Sequence, residues 1–381
     1  MPWQEVNKMS LRKEFVLLAL NESSNISELC NKYNISRTLG YKLLNRYQSE
    51  GLGGLKDKSK RPKSSPKKTQ DDVEKKVLEV RDKHYSWGGR KIHYYLKNNG
   101  FLLVPHPNTI TDILRRHGRL YEWSEKDPKK PYCSFERSQA NELWQMDFKG
   151  HFSLINGRCY PLTIIDDHSR FAVMLDACIN ERKETVRSCL VKAFMHYGLP
   201  CQINTDNGNP WGTGGGKGLY SELAIWMMRL GIRVTYSAPY HPQTNGKDER
   251  FHRSLKQEVL NRYTITTLSE SQKYFDSWRE VYNTERPHEA IGYEVPINRY
   301  KISGRRFPEG LPTIEYLDDD IVYKVNKSNG CIIFKGKQIY IGYPFMGEPI
   351  ALRADNEADG VYNVFYCQQK IKVINLRDAV R

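Results

Sequence analysis

No apolar run in the 381-residue chain reaches the length of a bilayer span, and mean hydropathy is −0.68, which excludes a helical integral membrane protein. Met1 to Phe15 are charged throughout and lack an apolar core, so no secretory signal is expected. Cysteine is scattered, at Cys30, Cys133, Cys159, Cys178, Cys189, Cys201, Cys331 and Cys367. No two of these fall at metal-knuckle spacing, and no Cys-x-x-Cys accompanies a His-x-x-x-His, which argues against a zinc site. Thiols so placed fit a reducing cytoplasm and are expected as small buried hydrophobes. The Gly-rich stretch Trp211–Lys217 lacks a following Gly-Lys-Ser/Thr, so it reads as a flexible flap rather than a phosphate-binding loop.

What is present is ordinary in bulk and unusual in distribution. With 39% hydrophobic and 27% charged residues, the chain has material for about two to four globular domains and is not disordered. Of the net charge of +15, +12 falls in residues 1–140. Solubility alone would not segregate charge in this way, so the front is read as a polyanion-binding region joined to a near-neutral remainder.

Helical spacing appears at Phe15, Leu18 and Ala19 and again at Ile26, Leu29, Cys30 and Tyr33. The turn Asn34-Ile35-Ser36 follows, with Ser36 placed to cap a helix from Arg37 to Tyr47. A helical hairpin has the same outline. Beside the basic charge, the layout is that of a helix-turn-helix whose second helix would offer Arg37, Thr38, Tyr41 and Lys42 to DNA. Residues 51–70 read as a basic linker that packs nothing, its Lys58, Lys60 and Arg61 free for phosphates. A second helical module over 71–125, expected to be winged by Phe101–Val104, would add Arg90, Lys91, Arg115 and Arg116, with Asn108-Thr109 capping its last helix.

From Leu143 the pattern changes to Trp144–Phe148, Tyr160–Ile165 and Phe171–Leu175, which permit an antiparallel meander, and then to alternating helices and strands. This predicts an α/β layer fold with a mixed sheet. Six short strands with turns between them over 315–381 predict a small all-β barrel. The expected divisions are 1–55, a linker 56–70, 71–125, a linker 126–140, 141–300 and 315–381.

Three carboxylates fall at informative places. Asp147 lies in an apolar strand, Asp206 at a strand exit before Asn207-Gly208, and Glu249 at the start of a helix. Acids from two strands and a helix can converge to hold two divalent cations roughly 4 Å apart, and oxygen donors of this kind suit Mg²⁺ or Mn²⁺. Arg253 and Lys256 follow Glu249 by four and seven residues on one face, as a phosphodiester grip or a surface ion pair would.

Trp144-Gln-Met-Asp147, Ile164-Ile-Asp-Asp167-His-Ser-Arg170, Thr205-Asp206-Asn-Gly208 and His241-Pro-Gln-Thr-Asn-Gly-Lys-Asp-Glu249-Arg-Phe-His252 are similar to landmark segments of DDE transposases. More narrowly, the chain resembles bacterial insertion-sequence transposases with a retroviral-integrase-like core, as do Arg286-Pro287-His288-Glu289-Ala290 and the linker phrases Gly51-Leu-Gly-Gly-Leu and Ser59-Lys-Arg-Pro62.

The resemblance implies an RNase H-like core with a mixed five-stranded sheet, all-α helix-turn-helix modules before it and an SH3-like barrel after it. It implies that Asp147, Asp206 and Glu249 are the catalytic and metal-binding triad, holding two Mg²⁺ for which Mn²⁺ would substitute. Asp248 is the rival to Glu249. Asp166 and Asp167 match a family motif that is not catalytic and are read as a turn bonded to Ser169 or Arg170. Lys247, Arg253 and Lys256 would touch DNA. The implied activity is cleavage at element ends and transfer of the 3′-hydroxyls to target DNA, without nucleotide cofactor, by a homodimer or homotetramer on double-stranded DNA in the cytoplasm, at the nucleoid. A DNA-binding regulator that retains the body without catalysis is the alternative. Asp206 and Glu249 lie 43 positions apart, wider than the retroviral pattern, and the Gly-rich insert supplies the excess.

Overall fold

The computed structural model describes residues 7–21, 23–59, 68–120, 136–212, 220–237 and 246–377, in two compact units, Met1–Lys68 and Thr69–Arg381. In the first unit, α1 (Lys8–Ala19), α2 (Ile26–Lys32) and α3 (Arg37–Glu50) are each opened by a side-chain cap from Asn7, Asn25 and Ser36. Phe15, Val16, Cys30, Leu43 and Leu44 make its core. Gly40 lets α3 press onto α2, since a Cβ there would stand 2.6 Å from Cys30 Sγ. The core reaches into the stretch expected to pack nothing. Gly51–Leu55 forms a 3₁₀ turn with Leu55 fully buried, and Gly54 lies so close to the Arg46 carbonyl that no side chain fits. Arg12 fixes this turn by donating to Leu55 O at 2.7 Å and pairing with Asp57 at 2.7 Å. Two leucines among glycines were enough to make a packed element.

In the second unit, α4 (Asp71–Lys83), α5 (Gly89–Asn98) and α6 (Pro107–Arg116) enclose Val77, Trp87, Ile92, Leu96, Ile110 and Leu114. Residues 101–104 form no strand, and Leu102 is 97% exposed, so the described module carries no wing; the run has no partner strand to pair with. The cap of α6 is His106 with Pro107 at the first turn, not Asn108.

The core sheet runs β4 (Ala172–Cys178), β3 (Gly157–Asp166), β1 (Trp144–Phe148), β5 (Gln202–Thr205), β6 (Arg233–Tyr236), antiparallel up to β1 and parallel beyond it. These five strands are the expected mixed sheet. A short β2 (Phe152–Leu154), not foreseen, folds back on β3 as a hairpin. Alternation places the two faces. Trp144, Met146, Leu162 and Ile164 face α7 (Lys183–Tyr197) and α8 (Glu222–Arg229), while Ile165, Ala172 and Leu175 face α9 (Gly246–Leu255) and α10 (Leu268–Thr284). A π-helical turn, Lys256–Leu260, ends α9.

All six C-terminal strands form, but the expected closed barrel does not. β7 (Ile321–Lys324), β10 (Pro349–Ala354), β11 (Val361–Tyr366) and β12 (Gln369–Asn375) make one open antiparallel sheet. β8 (Cys331–Phe334) and β9 (Lys337–Tyr340) pair only with each other. No ladder joins the outer strands β7 and β12, so the sheet stays open. Its apolar side continues the α7–α8 core through Ile350, Leu352, Val364 and Tyr366.

Candidate active site

Gln145 and Asp147 occupy the β1 face opposite Trp144 and Met146, turned toward the side that α9 covers. The parallel register pairs Trp144 with Ile203 and Gln145 with Asn204, so its continuation sets Asp147 beside Asp206 at the carboxyl ends of adjacent parallel strands. Ligand sites of α/β sheets gather at such ends.

Asp147 is half-buried, and its carboxyl is pushed up to about 7, first by burial and then by the charge of Asp206, with Glu181 and Glu249 adding to it. The Phe148 amide opposes the shift. Asp206 is exposed at its turn, accepting from Gly208 N at 3.0 Å. On α9, Asp248 is 2% exposed with Oδ1 unpaired, and burial and Asp147 raise its carboxyl well above the usual range. Glu249, next along, is exposed. The two rivals therefore divide into a buried acid and a solvent-facing one, both within electrostatic reach of Asp147.

The surroundings include side chains that the sequence did not single out. Thr163, opposite Asp147 in the β1–β3 register, donates its hydroxyl to Asp147 O at 2.9 Å. Its only proton is thereby used, so His252 Nε2, 2.8 Å away, must be the donor to Thr163 Oγ1. Burial, with Lys149 second, pushes His252 down to about 3, which keeps the ring neutral for this role. Lys149, two residues past Asp147, is lowered by burial and then by Lys256, so these two cations stand near each other. His252 lies within the similar segment already quoted; nothing in the sequence marks Thr163.

The motif acids Asp166 and Asp167 are both fully buried. Asp166 closes the turn, accepting from Ser169 N at 2.8 Å, Ser169 Oγ at 2.6 Å and Asn141 N at 2.7 Å. Asp167 accepts from the Lys247 ammonium, a residue expected on DNA and instead held inward. Lys91 is likewise drawn inward: burial and then Arg286 push its ammonium down to about 7. Arg90 is exposed and pairs with Glu289 at 3.1 Å, Arg116 with Glu74 at 3.2 Å, and Arg115 with Asp112. In the first unit Arg37, Thr38, Tyr41 and Lys42 share the open face of α3, and Lys58 pairs with Glu50. Lys60 and Arg61 lie outside the described residues. Arg253 and Lys256 are exposed.

Family comparisons agree along most of the chain. Two integrase core domain descriptions match residues 137–242 and 230–296, a helix-turn-helix domain matches 11–63 and a homeodomain-like domain 40–114. The C-terminal domain of IS481 family transposases matches 320–380. An uncharacterized 39.2 kDa protein of insertion element IS476 from Xanthomonas euvesicatoria is 25% identical, over 69% of this chain and 74% of that protein. The transposase for insertion sequence element IS904 of Lactococcus lactis is 25% identical, over 42% of this chain and 62% of that protein. The HTLV-2 integrase catalytic core domain, solved in complex with magnesium, is similar at 16% identity and a TM-score of 0.33, over 43% of this chain and 99% of that one. Together these matches support an insertion-sequence transposase with an integrase core.

Integrase-like cores use divalent cations, and the donors of this transposase fit one in kind. They are hard carboxylate oxygens, and burial and the neighbouring acids leave Asp147 a strained anion that a cation would relieve. Among the described residues, no three His, Cys, Asp or Glu side chains are gathered as a ready cage.

Proposed function

We propose that this transposase cuts DNA at the ends of its element and joins the freed 3′-hydroxyls to target DNA, with Asp147, Asp206 and Glu249 as the metal-holding carboxylates. The observation that supports it most is the register-matched pair Asp147–Asp206, with Asp147 pushed up to about 7 by burial and then by the charge of Asp206. Two Mg²⁺ ions, or Mn²⁺ in their place, would supply charge stabilisation to the attacking and leaving oxygens of an in-line displacement. In the first reaction a water oxygen bonds to phosphorus, and the 3′ oxygen leaves with a proton. In the second that 3′-hydroxyl bonds to a target phosphorus, displacing the target's own 3′ oxygen. Neither step needs a nucleotide cofactor or a protein-linked intermediate.

The residues of this chain bind and orient. Arg253 and Lys256 face solvent beside the acids and would hold the phosphodiester, while the open face of α3 would read the element end. Pairing of two ends calls for a homodimer or homotetramer on the DNA.

The test is to incubate wild-type protein, Asp147→Asn and Glu249→Gln with Mg²⁺ and labelled DNA spanning both flanks of the gene. Strand-specific nicking by wild type, with loss of at least about 10²-fold in both variants and unchanged DNA binding, is the expected result. Binding without nicking by wild type, in Mg²⁺ and in Mn²⁺, would make the protein a DNA-binding regulator. Nicking that survives Glu249→Gln but not Asp248→Asn would move the third ligand to Asp248.

A further inference from the structure

Asp167 is a fully buried carboxylate in a motif to which the proposed chemistry gives no role. It gathers three segments. Its Oδ1 accepts from Gln145 Nε2 at 2.7 Å and from the Lys247 ammonium, and its Oδ2 accepts from Arg137 N at 2.9 Å. Its own backbone is fixed, with N–H donating to Leu143 O at 2.9 Å and the carbonyl accepting from the Arg170 guanidinium. Asp167 is therefore anchored to the end of β3 and reaches out to two other elements.

Those two elements carry the proposed metal ligands. Gln145 sits two residues before Asp147 on the same face of β1, and Lys247 sits two residues before Glu249 in the first turn of α9. Successive residues on a helix are about 100° apart, so a fixed Lys247 fixes the rotation of α9 about its axis. That rotation decides which of Asp248 and Glu249 is buried and which faces solvent. A slip of one residue would exchange them.

We propose that Asp167 is a positioning residue, a buried charged strut that locks β1 and α9 in mutual register through Gln145 and Lys247 and so sets Asp147 and Glu249 for metal. The inference rests on the reading of Asp147 and Glu249 given above. Its neighbour Asp166 does different work, since its carboxylate closes the local turn through Ser169 N and Oγ and ties that turn to Asn141 N, a residue outside both β1 and α9. The pair Asp166-Asp167 thus splits into a turn former and a strut.

The strut is tested from both ends in the full chain, with Asp167→Asn and, because the first variant removes a fully buried charge, Lys247→Gln. Three readouts are needed: amide hydrogen exchange over 246–255 without metal, Mn²⁺ binding by paramagnetic resonance, and the Mg²⁺ dependence of nicking on end DNA. Each variant should exchange faster over α9 and need about ten-fold more Mn²⁺ or Mg²⁺, the size of effect that partners of metal ligands have. End-DNA affinity should stay at its wild-type value. The double variant should be no worse than the worse single one, because both remove one strut.

Wild-type exchange over α9 in Lys247→Gln, or single effects that multiply in the double variant, would overturn the proposal. If wild type itself neither nicked nor bound Mn²⁺, the proposed function would fail, and the exchange measurement would still decide the strut.

Discussion

At the scale of single residues, the site holds acids that its own fold disfavours as anions. Asp147 has its carboxyl raised from the ordinary 3.8 to about 7. A raised carboxyl favours the protonated folded state, so this contribution is fully present below about pH 4 and is lost as pH climbs through 7. Asp147→Asn removes the loss. The metal-free variant should therefore melt above wild type at pH 8, by something on the order of 1 kcal/mol or more, and the gain should vanish near pH 4. Melting curves at the two pH values check this; an equal difference at both would mean that Asp147 is not the strained group. The same arithmetic has protons competing with a cation for the site below pH 7. Asp147 was legible as a carboxylate out of place in an apolar strand. Its partners were not: Thr163 and His252 matter through a register and a helix placement that only the folded chain brings together.

At the scale of elements, the core sheet ends in two edges, and side chains close both. On β4, Asn283 of α10 accepts from Ala172 N at 2.8 Å and donates to Ala172 O at 3.1 Å, and Gln272 accepts from Ala177 N at 2.8 Å. On β6, the Gln369 amide acts as a one-residue strand, accepting from Val234 N at 2.9 Å and donating to Val234 O at 2.7 Å. Edges left bare invite pairing with other chains. Gln369→Ala leaves two backbone groups unpaired and should cost about 1–3 kcal/mol in thermal unfolding, with the C-terminal sheet becoming more open to protease. Gln369→Glu keeps the acceptor and loses the donor, so it should fall between the two. Intermediate melting in Glu is the telling result, since loss of packing alone would rank the variants by size. Apart from β2, the strands were legible from alternation, and so was the cap Ser36, whereas the cap Asn25 was read only as the end of a helical pattern. What escaped was set by distant partners: Gln369 lies 135 positions from Val234, and the barrel failed because pairing, unlike strand formation, is not written locally.

At the scale of the whole second unit, the α4–α6 module is bound to the integrase-like core by polar and aromatic contacts. Lys83 meets Glu285 at 2.7 Å, Ser86 meets Glu258 at 2.6 Å, and Tyr94 stacks on Tyr293 at 3.9 Å. The basic residues of α5 were read from charge alone, and charge cannot say whether its partner is a phosphate or a carboxylate of the same chain. Arg90 found the latter in Glu289, and Lys91 was drawn into the interior near Arg286 and Glu258. Exposed pairs such as Lys83–Glu285 contribute at most about 1 kcal/mol each, so they do not hold the module by themselves. Glu258 does more. It accepts from Ser86, from Trp278 Nε1 at 2.7 Å and from the buried Arg286, and its carboxyl lies below the usual range although burial opposes that, chiefly because of Arg286. Glu258→Ala strands Arg286 in the interior, a loss of about 3–5 kcal/mol where a buried pair is broken. The expected outcome is a large drop in melting temperature together with faster amide exchange over 71–116, because the same carboxylate anchors the core helices and the module. Exchange over 71–116 that stays at the wild-type rate while melting falls would show the module held by its apolar contact with Val281 instead.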